Sequence, residues 1–233
     1  MDMLMGDKIA AAKLADWRKL AQGLHARYLV EDFSASARFV TAIAEVSEAA
    51  DHQPKVFIGK GFVDLELVSD DAVYRPDDDT EFVVEWVTQR DLDLAGRITE
   101  VAAGLNLTPD PASVSEIELG LDTAESGTIA PVWAALLTGN PEDQGRGTPG
   151  DEVRDARARI PNLWFGDLDP EKTQKLHFEV YVAPEVVEQR IAGAVAAGGT
   201  IVDDSESPGL TVIADQEGNT GIICADLSAA PRS

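Results

Sequence analysis

Apolar residues recur at helical spacing in three stretches of the first half of the chain and alternate with polar ones between them. Over residues 7–23, DKIAAAKLADWRKLAQG, the positions Ile9, Leu14, Trp17 and Leu20 predict a helix that Gly23 would stop. ARYLVEDF follows as a short strand. Ser34 stands where a cap belongs before SARFVTAIAEVSEAA, and Phe39, Ile43 and Val46 at i, i+4 and i+7 turn one face of that helix to a core. Beyond Pro54, KVFIGKGFVDLELVS alternates, which predicts two strands or one bent at Gly59 and Gly61; DLDLAGRITEVAAGL is a closing helix. The predicted order is α-β-α-β-β-α.

The second half shows one pattern twice. SEIELGLDTA predicts a strand, SGTIAPVWAALLTG a helix with Ile129, Val132, Trp133 and Leu136 inward, and ARIPNLWFGDL a later strand. LHFEVYV begins the second copy, followed by a helix from Pro184 through AGAVAAGG and by the strands TIVDD and GLTVIADQEGNTGIICADL. Proline in the first turn and paired glycines at the end are the expected punctuation. Between the halves, LTPDPASVS at 107–115 marks a boundary, giving domains at 1–108 and 114–228. Residues 139–155, GNPEDQGRGTPGDEVRD, read as a mobile loop inside the second domain. The fold class expected is α+β in two domains.

Composition narrows the partners. The net charge is -23, and both halves share it: residues 1–108 carry 11 Lys and Arg against 20 Asp and Glu, the rest 8 against 22. Such a field repels phosphate backbones and anionic lipid, and no basic patch offsets it, so neither nucleic acid nor membrane is an expected partner. An apolar run of membrane-spanning length is absent, and MDMLMGDKIAAAK has acids where a signal peptide starts basic; the expected location is the cytoplasm. Cys224 is the single cysteine, which excludes an intramolecular disulfide and predicts an inert thiol near a strand end.

The order of elements, with Glu48-x-x-x-His52-Gln53-Pro54, resembles the pterin-4a-carbinolamine dehydratase family, whose signature is an acid, three residues, then His-His-Pro. Trp17, the Asp32-Phe33 and Phe39 spacing and Asp91 in RDLDLA extend the likeness over about the first 105 residues. The resemblance implies loss of the 4a-hydroxyl from a 4a-hydroxytetrahydropterin without a cofactor, in a homo-oligomer. That reaction needs a donor to the departing oxygen and an acceptor for a ring-nitrogen proton, and imidazoles with pKa about 6.5 suit both. The resemblance places the catalytic set at His52, Gln53 and Asp70, with Glu48 and Pro54 toward the substrate. Gln53 replaces the second histidine and Asp70 the later one. An amide does not exchange protons at neutral pH, and an aspartate carboxylate, ordinarily near pKa 3.9, is a weak base there. Lys60 stands where the family has an aromatic, and DDAVYRPDDDTEFVVEW is an added acidic segment. His25 matches no functional position and is expected at the surface.

The second half resembles the compact glyoxalase-like and bleomycin-resistance-like members of the vicinal oxygen chelate superfamily, as a paired βαβββ unit. The likeness rests on Val132 to Leu137, on LHFEVYV and on the turn from Asp215 to Asn219, and spans roughly 115–227. Metal-using relatives place ligands at positions matching Glu118, His177 and Thr220. A threonine hydroxyl is a poor third ligand, and Glu179, on the same strand face as His177, is the substitute. The expectation is no tightly held metal, with Glu118, His177 and Glu179 as the weak candidates. A small organic ligand bordered by Trp133, His177, Trp164 and Phe178 is the alternative use of this half. Three functions therefore compete: a weakened pterin dehydratase with an accessory domain, a binder or enzyme centred on the second half, and a silent assembly protein.

Overall fold

The structure, a computed structural model, describes residues 1–77, 79–145, 150–154, 160–168 and 175–230. Its first sheet runs β1 (Arg18–Leu20), β2 (Gly23–Leu29), β4 (Phe62–Leu67), β3 (Lys55–Gly59), all antiparallel. Alternation decides its faces: Val63, Leu65 and Leu67 of β4 and Leu24, Ala26 and Tyr28 of β2 are buried against α2 (Phe33–Ala50) and α3 (Gln89–Gly104). Tyr28 meets Phe39 of α2 edge to face at 5.2 Å, and Phe39, Ile43, Leu94 and Ile98 fill the space between helices and sheet.

The predicted helix over 7–23 is not formed. Helix α1 (Gly6–Ala11) stops before Lys13, whose φ of 53° is left-handed, and the chain then turns into β1. Trp17 is buried from this turn, with its Nε1 donating to Thr99 Oγ1 of α3 at 3.1 Å. Packing of one large aromatic outweighs the weak helical periodicity around it. The cap of α2 is Asp32 rather than Ser34: its carboxylate accepts the Ala35 N–H at 2.7 Å. KVFIGKGFVDLELVS forms two strands, β3 and β4, as expected. The acidic segment after them folds into a separate hairpin of β5 (Ser69–Tyr74) and β6 (Phe82–Trp86), so the order α-β-α-β-β-α is corrected to α-β-β-α-β-β-β-β-α.

Residues 107–115 are tied down rather than open. β7 (Thr108–Pro109) pairs with β2, the Asp110 N–H donates to the Arg27 carbonyl at 2.8 Å, and a 3₁₀ turn over Pro111–Ser113 leads into the second domain.

The second sheet has seven strands in the order β12-β13-β14-β11-β8-β10-β9. One copy of the repeat is β8 (Ser115–Thr123), α4 (Ser126–Thr138), β9 (Glu152–Val153) and β10 (Asn162–Asp167); the other is β11 (Leu176–Val182), α5 (Val187–Ala196), β12 (Thr200–Glu206), β13 (Leu210–Ala214) and β14 (Thr220–Cys224). The copies meet through antiparallel β8 and β11, while β8 pairs parallel with β10 and β11 with β14 in matching fashion. Leu119, Leu121, Leu163, Val180, Val182 and Ile223 line the sheet face packed with α4 and α5. The pleat puts Glu116, Glu118, Asn162, Trp164, His177, Glu179 and Tyr181 on the other face. The inward side of α4 is Ala130, Trp133, Ala134 and Leu137; Val132 and Leu136, expected inward, are exposed. No helix among the described residues is long and apolar enough to cross a membrane.

Candidate functional site

Helix α3 opens on a capping box. The Asp91 Oδ2 accepts the Thr88 N–H at 2.7 Å and the Thr88 hydroxyl at 3.0 Å, and the Ser69 hydroxyl of β5 donates to the same oxygen at 2.7 Å. Asp91 Oδ1 remains, and His52 Nε2 lies 2.7 Å from it. His52 is delivered by the end of α2: Asp51 turns left-handed with φ 49°, and the His52 N–H caps the Ser47 carbonyl at 3.2 Å. The His52 side chain is 11% exposed and that of Asp91 0%. Burial pushes the Asp91 carboxyl up, but the hydrogen bonds from His52, Thr88 and Ser69 outweigh it and hold the group below the usual carboxylate range. An ionised Asp91 can only accept, so His52 Nε2–H is the donor of this bond.

Asp70 follows Ser69 and is exposed. It lines a cleft of about 510 Å³ between the domains, with Gln22, Lys55, Glu66 and Glu85 from the first and Glu116, Glu118, Arg154 and Asn162 from the second. His52 is not among the residues lining it. The structure therefore joins His52 to Asp91, and Asp70 adjoins Ser69, whose hydroxyl donates to Asp91. Gln53 is exposed, two residues before Lys55; Pro54 is half-buried between them. Glu48 is exposed on the last turn of α2, where its carbonyl accepts the Asp51 N–H.

An adjoining cavity of about 550 Å³ shares His25, Lys55, Glu66 and Glu116 with the cleft. His25 is not at the surface as expected; it is 8% exposed, opposite Glu66 in the sheet, with Nδ1 4.0 Å from Glu116 Oε2. Burial pushes its imidazole below the ordinary value. Its strand reads as buried on alternate residues, and His25 lies on the face that only the second domain covers, so no local pattern marks it. Burial, then the charge of Glu66, pushes the Glu116 carboxyl up to about 7. Glu118, 3% exposed, is raised by burial despite hydrogen bonds from Asn162 and Gln22, with Glu179 adding to the rise. Lys19, with its ammonium 3.9 Å over the Trp86 ring, is pushed down to about 8 by burial.

In the second domain Glu118 and Glu179 are direct cross-strand partners, and Tyr181 OH donates to Glu179 Oε2 at 3.0 Å. His177 lies opposite Gly120, where a β-carbon would meet its Nε2 at 2.3 Å, and its ring stands edge-on to Trp164 with centroids 5.4 Å apart. The glycine is what gives the imidazole its place. Thr220 opens β14 after a turn that the Asp215 carboxylate closes onto the Asn219 N–H and side chain. Among the described residues no three His, Cys, Asp or Glu side chains form a group able to hold a metal ion. Trp133 packs with Leu119, Leu121 and Phe165 on the helix-covered face, so it shares no pocket with His177; Phe178, 50% exposed, is also off the His177 face. Cys224 is buried at the end of β14 and burial pushes its thiol up to about 12, the inert state expected.

A family model described as pterin 4 alpha carbinolamine dehydratase matches residues 4–101, and one described as a glyoxalase-like domain matches residues 118–224. A protein of Koribacter versatilis, provisionally assigned as a pterin-4-alpha-carbinolamine dehydratase, is 32% identical over 92 residues, 40% of this chain and 85% of the relative. One of Picosynechococcus with the same provisional assignment is 28% identical over 90 residues, 39% of this chain and 85% of the relative. The crystal structure of a transcriptional coactivator/pterin dehydratase from Brucella melitensis has 21% identity and a TM-score of 0.35, covering 43% of this chain and 99% of that one.

Proposed function

We propose, from the premise that the chain belongs to the pterin-4-alpha-carbinolamine dehydratase family over residues 4–101, that it is a weakened 4a-hydroxytetrahydropterin dehydratase carrying a glyoxalase-like accessory domain. The observation that supports this reading is the 2.7 Å contact of His52 with a fully buried, ionised Asp91. Asp91 fixes the tautomer and ring orientation, so that Nδ1 is the atom to take the proton from the substrate's ring nitrogen. The Ser69 hydroxyl and the Thr88 cap hold Asp91, which makes His52 part of a rigid junction between α2, β5 and α3.

Departure of the 4a-hydroxyl needs a second proton exchanger. Gln53 donates a hydrogen bond but not a proton, and water must bring the proton that completes the leaving hydroxide. One general acid-base partner is commonly worth about 10²- to 10⁴-fold, so turnover is reduced by roughly that order. Asp70 opens into the cleft between the domains, which His52 does not line. The division into units at 1–108 and 114–228 and the association of copies belong to the same reading; β3 is an outer strand of the first sheet and exposes Phe57 by 62%.

The test is Gln53→His, assayed by stopped-flow dehydration of a 4a-hydroxytetrahydropterin. A gain in kcat of about tenfold or more is expected from the restored proton exchanger. No gain, in a protein that still binds pterin, contradicts the assignment.

A further inference from the structure

The end of the second domain returns to the first. We propose that residues 226–230 form a clasp: they complete the core of the first domain around Ala229 and, through Lys19 and Trp86, hold the β5–β6 hairpin that backs the His52–Asp91 pair. The clasp is independent of the reaction the chain performs.

The segment is anchored at both ends. The Ala225 N–H donates to the Gly209 carbonyl at 2.9 Å, which fixes the chain to the second sheet where β14 ends. Four residues later Ala229 is 7% exposed and belongs to the core of the first domain, where it borders a small space with Ile9, Leu14, Trp17, Lys19 and Leu24. Asp226 shapes the crossing: its Oδ1 accepts the Ser228 N–H at 3.1 Å, the Ser228 hydroxyl at 2.7 Å and the Ala229 N–H at 3.1 Å. Ser228 lies on Gly6, the first residue of α1, where a β-carbon would run into the Ser228 hydroxyl and come within 2.9 Å of its carbonyl carbon. Four residues span at most about 14 Å, so while both anchors hold the segment limits any parting of the domains. The tied-down stretch 107–115 is a second such connection.

From the clasp a short run of contacts leads to Asp91. Lys19 is 5% exposed; burial pushes its ammonium down to about 8, and the charge of Asp226 is the leading influence that opposes this. The ammonium rests 3.9 Å over the Trp86 ring of β6. Trp86 Nε1 donates to the Leu4 carbonyl at 2.9 Å and the Leu4 N–H to the Val87 carbonyl at 2.8 Å, so the segment before α1 and the end of β6 are laced together. Thr88 comes next, and Asp91 accepts its N–H and hydroxyl. At the far end of the hairpin Ser69 donates to the same carboxylate. Withdrawing residues 226–230 uncovers Ile9, Leu14 and Trp17 and takes Asp226 away from Lys19. A buried ammonium without its counter-charge is driven toward water, and Trp86 loses the cation that packs on it.

The test is hydrogen–deuterium exchange of the full chain, natural and Ala229→Glu, read by mass spectrometry in the segments 1–12, 82–92 and 176–182. A carboxylate has no partner in the apolar seat of Ala229 and leaves it. Exchange is expected to quicken about tenfold or more in 1–12 and 82–92, while 176–182, in β11, keeps its natural rate. Unchanged exchange in 82–92, or a change confined to 1–12, overturns the clasp as a support of the site. Should Ala229→Glu fail to fold, Gly6→Ala and the double variant Gly6→Ala/Ser228→Gly decide. Gly6 lies in a helix whose backbone accepts alanine, so the effect of the new methyl runs through Ser228. The single variant is expected to quicken exchange in 82–92, and the double variant to recover protection. A single variant without effect there, or a double variant that recovers nothing, overturns the proposal.

Discussion

His52 Nε2 and Asp91 Oδ1 meet at 2.7 Å across 39 residues of sequence, one side chain almost buried and the other wholly so. The pair ties the end of α2 to the first turn of α3, and Asp91 also closes the capping box with Thr88. Asp91→Asn keeps the shape and loses the charge that gathers four donors. It is expected to cost about 1–3 kcal/mol of stability, the penalty for leaving buried partners poorly satisfied, as read from urea unfolding. Dehydration should fall with it, because His52 loses its fixed tautomer. An unfolding midpoint equal to that of the natural protein contradicts this role.

The pH dependence of stability carries the signature of Glu116 and Glu118. Both carboxyls are raised in the folded state, Glu116 to about 7 from an ordinary 4.5, so between those values the folded protein binds more protons than the unfolded chain. Their contribution is therefore favourable at pH 4.5 and is lost as pH rises toward 7. Thermal melts of Glu118→Gln across this window should show a flatter profile than the natural protein. An unchanged slope is the opposing result.

Lys19 acts on the alkaline side. Its ammonium is buried against Trp86 and pushed down to about 8 from 10.5, so the unfolded chain binds the extra proton between these values and stability rises with pH across them. Lys19→Met removes this rise. A profile from pH 8 to 10 that is identical in the variant contradicts the burial of the charge.

The exposed edge of the first sheet predicts association. Val56 and Phe57 of β3 are 38% and 62% exposed on an outer strand, a template for a second copy. Light scattering should give a multiple of the 24.9 kDa chain mass, and Phe57→Lys should shift it to a smaller species. A natural protein running as a monomer refutes it.

What the sequence shows well is what packing decides locally. The alternation of β4, the periodicity of α2 and the doubled strand-helix pattern of the second half each follow from one face being buried, and each stands in the structure. The helix expected over residues 7–23 fails because Trp17 is placed by its contact with Thr99, more than 80 residues away. The inward face of α4 departs from the expected one for a related reason: small Ala130 and Ala134 let the helix approach the sheet, while the larger Val132 and Leu136 stay outside. Of the site, His52 and Asp91 are legible because each lies in a short stretch of sequence, Glu48 to Pro54 and RDLDLA. The cleft is not, since His25 and Glu116 acquire their burial only when one domain covers the other.

The measurement that bears most directly on the account is the single-turnover rate of 4a-hydroxytetrahydropterin dehydration by the natural chain and by His52→Gln, each compared with the uncatalysed reaction. The natural rate is expected above background but below that of a three-histidine enzyme, falling about 10²-fold or to background in the variant. Equal rates for the two proteins would show that His52 is only a strut between α2 and α3, and that the retained imidazole performs no chemistry.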